Sequence, residues 1–140
     1  MTATTAQRTT TRSLSRHLPT VVRVVLGLLF FVMGLNGFLN FLPQDAGSMP
    51  EGALAFSTAL AQTGYMLPLA MGVQLVSGIL LLANRFVPLA LALLAPVVVN
   101  IFAFHVFLAP GGLVIAIAVA AMEVGLAWAH RDAFRAMLHA

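Results

Sequence analysis

The sequence predicts an all-α integral membrane protein, an antiparallel four-helix bundle with both termini in the cytoplasm. Three observations carry that expectation. Of 140 residues, 61% are hydrophobic and only 8% are charged, with a mean hydropathy of +1.00; a soluble domain carries about 25% charged residues. Four apolar segments each approach the roughly 20 residues that cross about 30 Å of hydrocarbon. Threading those segments through a bilayer puts every arginine outside them on one side, which the positive-inside rule assigns to the cytoplasm. A chain of this length is expected to form one domain.

Residues 1–20, MTATTAQRTTTRSLSRHLPT, are Thr- and Arg-rich and free of acidic residues, and are expected to form a flexible cytoplasmic tail ahead of a membrane domain at 21–140. The basic start is like that of a targeting peptide. The apolar run after it is too long for a signal core and ends in FLNFLPQ with no small-residue cleavage site. It is therefore expected to remain as the first span, residues 21–42.

The connection at 43–64 contains EGALAFSTALAQ, where Ala53, Phe56 and Leu60 share one helical face. The favoured reading is the outer end of a long second helix; the alternative is a lid or interfacial helix over a pocket. The second span covers 65–83, the third 86–108 and the fourth 112–130. Only Asn84 and Arg85 join the second to the third, and an APGG turn joins the third to the fourth. Links that short make neighbouring helices antiparallel. Pro96 should kink the third span and free the carbonyl of Ala92. Gly27, Gly34, Gly72, Ser77, Gly78 and Gly125 are expected at close helix contacts. No internal repeat is visible.

All seven basic residues are arginines, and they set the net charge of +3. Arg8, Arg12 and Arg16 precede the first span, Arg85 lies between the second and third, and Arg131 and Arg135 follow the fourth. Charges at the ends of apolar runs, rather than along one polar face, argue against nucleic-acid binding. There is no cysteine, which excludes disulfides, thiol relays and thiolate metal sites.

Polar residues inside a membrane are functional candidates, and here they are Arg23, Asn36, Asn40, Gln74, Asn100, His105 and Glu123. At 1.5 Å per residue, Asn36 and Asn100 fall in the outer half, and Asn40 and His105 near the outer boundary. Gln74 and Glu123 fall near the middle, and Arg23 near the inner boundary. Asn36 and Asn40 are four apart and share a face of the first helix. With Asn100 and Gln74 they can line a polar cavity, or each amide can simply bind across to a neighbouring helix.

Glu123 lies on a small-residue face with Ala116, Ala120, Ala127 and His130. Alone at that depth the carboxyl is expected to keep its proton, since a bare charge in hydrocarbon is costly. Arg23 offers a partner, because the two lie about 6 Å and about 10 Å from the same boundary. An Arg23–Glu123 ion pair between the first and fourth spans is the expectation. A metal site is not expected, because His17 and His130 cannot meet His105 across the bundle and no other ligands match its depth. His105 sits among Phe102, Phe104 and Phe107, a setting suited to a flat ring. It is about 140° around the helix from Asn100, so Asn100 is expected to point into the bundle and His105 to sit at its rim, where water and protons reach it.

The stretches RVVLGLLFFVMGLNGFLNFLP, TGYMLPLAMGVQLVSGILLLANRFVPLALALLAPVVVNIFAFHVFL and MEVGLAWAHRDAFR together resemble the DoxX family of small bacterial membrane proteins. The likeness extends over residues 23–135. Its marks are the arginine opening the first span, the GLNG element, the paired glycines of the second span and the Asn–His pair of the third. Many members have Glu where this chain has Gln74 and Lys where it has Asn36. The resemblance implies a multi-pass protein of the bacterial cell (inner) membrane, related to a subunit of a thiosulfate:quinone oxidoreductase and to proteins of quinone stress. The expected function is a redox-linked auxiliary or subunit that binds a quinone or small aromatic in an outer-facing pocket. Candidate ligand contacts are Asn36, Asn40, Gln74, Asn100, His105 and Glu123. The alternatives are a non-catalytic scaffold within a larger complex, or a small proton-coupled transporter. No nucleotide, metal or thiol motif is present to carry electrons in a stand-alone enzyme. The lipid bilayer is the expected partner, with other membrane or redox proteins beside it.

Overall fold

A computed structural model describes residues 6–43 and 45–139, with side chains from residue 15 onward apart from 46. Among the described residues the regular structure is entirely helical. The first helix, α1, runs over Ala6–Leu39, so residues 6–20 of the flexible tail expected over 1–20 are helical, while residues 1–5 lie outside the described residues. Extending a helix already nucleated in the span adds one hydrogen bond per residue without a second nucleation step. Arg8 and Arg12 lie outside the described side chains. The helix stops three residues before the expected 42. Asn40 turns left-handed at φ 48°, a conformation asparagine adopts more readily than most residues, and the Leu42 amide donates back to Asn36 Oδ1 at 2.7 Å.

Two helices follow where one was expected. Helix α2 covers Glu51–Gln62 and α3 covers Met66–Leu82, and they meet at 93°. Gly64, at φ 78°, supplies the bend. The Thr63 hydroxyl donates to the Leu60 carbonyl at 2.6 Å and accepts from the Met66 amide at 3.1 Å. One side chain thus satisfies backbone groups of both helix ends, which is why the long second helix breaks here. Helix α2 folds back over the bundle, with Ala53 fully buried and the Phe56 ring 5.8 Å from that of Phe104, near the end of the helix at Val87–Phe107.

Helix α4 spans Val87–Phe107 and continues through Pro96. A 3-10 turn at Pro110–Gly112 leads into α5, Leu113–Ala129. An unanticipated short helix, α6, covers Arg131–Leu138. It follows a break at His130, whose Nδ1 bonds the Leu126 carbonyl at 3.0 Å. Three helices are long and apolar enough to cross a membrane, and α2 with α3 makes a fourth if the bent pair is one span. The 17 residues of α3 alone extend about 25 Å.

Helix α1 packs chiefly on α3, α3 on α4, α4 on α5, and α5 back on α1. Gly27 faces Leu81, Gly34 faces Leu75 and Gly37 faces Met71, so the contacts climb α1 as they descend α3. Gly72 and Gly125 were expected at helix contacts, but a Cβ on either would meet nothing within 4 Å; both point away from the neighbouring helices. The core gathers Leu26, Phe30, Leu81, Leu91, Leu94 and Leu126, all toward the end of the molecule that holds Arg23 and Arg85. The exterior is apolar, with Val114 80% and Val124 66% exposed on α5, a surface that hydrocarbon covers and water does not. Tyr65 and Trp128 are exposed at opposite ends of the helices, where aromatic belts form.

Candidate functional site

The tight packing near Arg85 loosens along α3 and α4 toward α2. A groove of about 560 Å³ opens between them, lined on α3 by Met66, Ala70, Met71 and Gln74, on α4 by Ala92, Pro96 and Asn100, and on α2 by Leu60. This volume is within the range of small-molecule sites. Ala92, Pro96 and Asn100 are spaced by four and so form one stripe of α4. Pro96 has no N–H to give the Ala92 carbonyl, so that acceptor joins two amides on an otherwise apolar wall.

Gln74 is buried, and its Nε2 has only the sulfur of Met71, at 3.9 Å, a weak acceptor. The Asn100 side chain is exposed on the groove, not directed into the bundle as expected, and bonds none of the described residues. Its place on the stripe with Pro96 turns it toward the opening between α3 and α4. The groove therefore offers two amides free to donate and accept.

The other expected contacts lie elsewhere. Asn36 is 3% exposed and its oxygen caps the end of α1 through the Leu42 amide. Asn40, the left-handed residue of that cap, is exposed. His105 is half-buried; because a carbonyl only accepts, its Nδ1 carries the proton and donates to the Ile101 carbonyl at 2.8 Å. Its Nε2 edge abuts Gly112, where a Cβ would stand 2.4 Å from that nitrogen. The Phe104 ring meets His105 edge-on at 5.3 Å. Six candidates therefore do not form one pocket: Gln74 and Asn100 share a groove, Glu123 lines another, and Asn36, Asn40 and His105 finish helix ends.

The Arg23–Glu123 pair is not formed. Arg23 Nη1 donates to the Leu81 carbonyl at the end of α3, where a cation meets the negative end of the helix dipole. Among the described residues the one ion pair is Arg135–Asp132, at 3.8 Å on α6. Glu123 is 6% exposed, and its Oε2 has no hydrogen-bond partner among the described residues. It lines a second, smaller groove of about 290 Å³ between α4 and α5. Among the described residues no three His, Asp or Glu side chains come together as a metal site.

Sequence reasoning overlooked Met66 and Met71, and it put Leu60 at a pocket only under the alternative reading of its stretch as a lid. The position of Met71 three residues before Gln74 was a readable signal, since such pairs share a helix face; the reach of Leu60 depended on the bend at Gly64, which only the fold reveals.

A family model described as DoxX matches residues 18–106, well over half of the chain, from the lower part of α1 almost to the end of α4. No curated protein and no solved structure matches.

Proposed function

The chain belongs to the DoxX family, and from that membership we propose that it binds a quinone or small aromatic in the α3/α4 groove, as an auxiliary or subunit of membrane redox chemistry. One observation carries the reading: a groove of about 560 Å³ with apolar walls is lined by two amides, Gln74 on α3 and Asn100 on α4. A flat ring bearing oxygens matches it, because the walls take the ring and the amides donate to the oxygens. The groove opens sideways between helices, so a ligand dissolved in the bilayer enters without crossing water.

The orientation belongs to the same proposal. Taken as an antiparallel four-helix bundle, the helices gather Arg16, Arg23, Arg85, Arg131 and Arg135 at one end, and the positive-inside rule supports both termini in the cytoplasm of a bacterial cell, with α2 and the groove toward the outer face.

The test is a titration of a short-chain quinone against the full chain in lipid nanodiscs. Saturable binding is expected in the wild type, weakened about tenfold in Asn100→Ala and Gln74→Ala, the loss of one hydrogen bond of about 1.4 kcal/mol. Binding in His105→Ala should equal the wild type. Absence of saturable binding in the wild type overturns the proposal.

A further inference from the structure

Glu123 is the one acidic side chain within a span; Asp45, Glu51 and Asp132 lie outside the long apolar helices. It is also a carboxyl without a counter-charge, since the nearest expected cation, Arg23, is engaged with the Leu81 carbonyl. Its Oε2 finds no donor among the described residues. Yet Glu123 is not sealed in the core. It stands in the wall of the α4/α5 groove with Ala95, Val98, Phe102, Ala120 and Val124, a cleft distinct from the one proposed for a quinone.

We infer that this α4/α5 groove is a binding site for a lipophilic organic cation, with Glu123 as its counter-charge. Charge complementarity selects the occupant. A neutral apolar molecule fills the cleft but leaves the carboxyl protonated and without a partner charge, and an anion only holds that proton more firmly, whereas a cation pairs with the carboxylate once the proton leaves. A single-chain ammonium supplies the missing positive charge together with its own apolar covering. About 290 Å³ accommodates the head and its first methylenes, and the rest of the chain lies along α4 and α5 in the lipid. The Phe102 ring gives the cation an aromatic wall. Glu123 pairs with it in hydrocarbon, where an ion pair is screened far less than in water.

The test uses the full chain in lipid nanodiscs and dicyclohexylcarbodiimide, a reagent that enters hydrocarbon and modifies carboxyls there, with labelled peptides followed by mass spectrometry. Glu123 should be labelled, and dodecyltrimethylammonium should protect it. Half-protection should occur at a concentration about tenfold below that of dodecanol, which corresponds to about 1.4 kcal/mol in favour of the charged head. The groove-filling variant Ala120→Phe should slow the labelling without any cation. Gln74→Ala and Asn100→Ala should leave the protection unchanged, which separates this result from the fate of the quinone reading. Equal protection by dodecanol, or absence of labelling at Glu123 in the wild type, overturns the inference.

Discussion

Gly78 and Phe31 bring the backbones of α3 and α1 into direct contact: a Cβ added to Gly78 would stand 2.5 Å from the Phe31 nitrogen and 2.9 Å from the Gly27 carbonyl oxygen. Gly34 makes the reciprocal contact, with a Cβ 2.5 Å from the Leu75 nitrogen. With lipid outside, no hydrophobic force drives helices together, and close van der Waals approach through small residues takes its place.

Gly78→Ala and Gly34→Ala should therefore each destabilise the protein by about 1–3 kcal/mol, because backbone cannot move aside as a side chain can. Gly37→Ala should lose less, since its Cβ meets the flexible Met71 side chain. Gly125→Ala should be neutral within about 0.5 kcal/mol, as its Cβ meets open space. Unfolding in mixed detergent micelles, followed by circular dichroism, ranks the four variants.

Arg23 ties α1 to the last turn of α3 through the Leu81 carbonyl. Arg23→Met, which keeps the apolar stem and removes the donors, should lower stability by about 1.5–3 kcal/mol, the usual worth of a hydrogen bond to a charged group. Glu123→Gln in that background should add its own effect without coupling, because the two side chains do not pair. A double-mutant cycle on the unfolding midpoints measures this, and a coupling energy above about 1 kcal/mol would restore the ion pair.

Asn36 serves the end of α1 and not the groove. Asn36→Ala leaves the Leu42 amide without its acceptor and should lower stability by about 1 kcal/mol, with quinone affinity unaltered. Asn40→Gly should be tolerated, because glycine takes the left-handed conformation freely. Thermal unfolding in detergent and the nanodisc titration separate the two effects.

Since the chain has no cysteine, single introduced cysteines report orientation without background. Ser48→Cys, just before α2, should react with a membrane-impermeant maleimide in intact cells. His139→Cys, after α6, should react only once the membrane is permeabilised. The opposite pattern would invert the orientation.

The apolar spans were legible in the sequence because crossing hydrocarbon demands long uninterrupted runs, and α3, α4 and α5 begin and end within a few residues of their expected bounds. Which way each side chain turns was far less legible. A helix that is apolar all round carries no strong face, so Gly72 and Gly125 could not be told from Gly34 and Gly78. Depth placed Arg23 within reach of Glu123, but depth says nothing of direction around the axis, and a helix-end carbonyl competed for the arginine. The bend at Gly64 and the cap at Asn36 depend on local backbone geometry that an apolar count does not register, and α6 was too short for the span pattern. The 140° between Asn100 and His105 was readable, and the fold does part them: Asn100 faces α3 across the groove, whereas His105 closes on Gly112.

A quinone site between α3 and α4 is tested by photolabelling of the full chain in nanodiscs with a quinone carrying a small diazirine, with adducts mapped by mass spectrometry. Adducts are expected on Met71, Gln74 and the Ala92–Asn100 stripe, and should be competed away by unlabelled quinone. Competable adducts confined to the His105 end of α4, or adducts that unlabelled quinone does not reduce, would contradict a quinone site between α3 and α4.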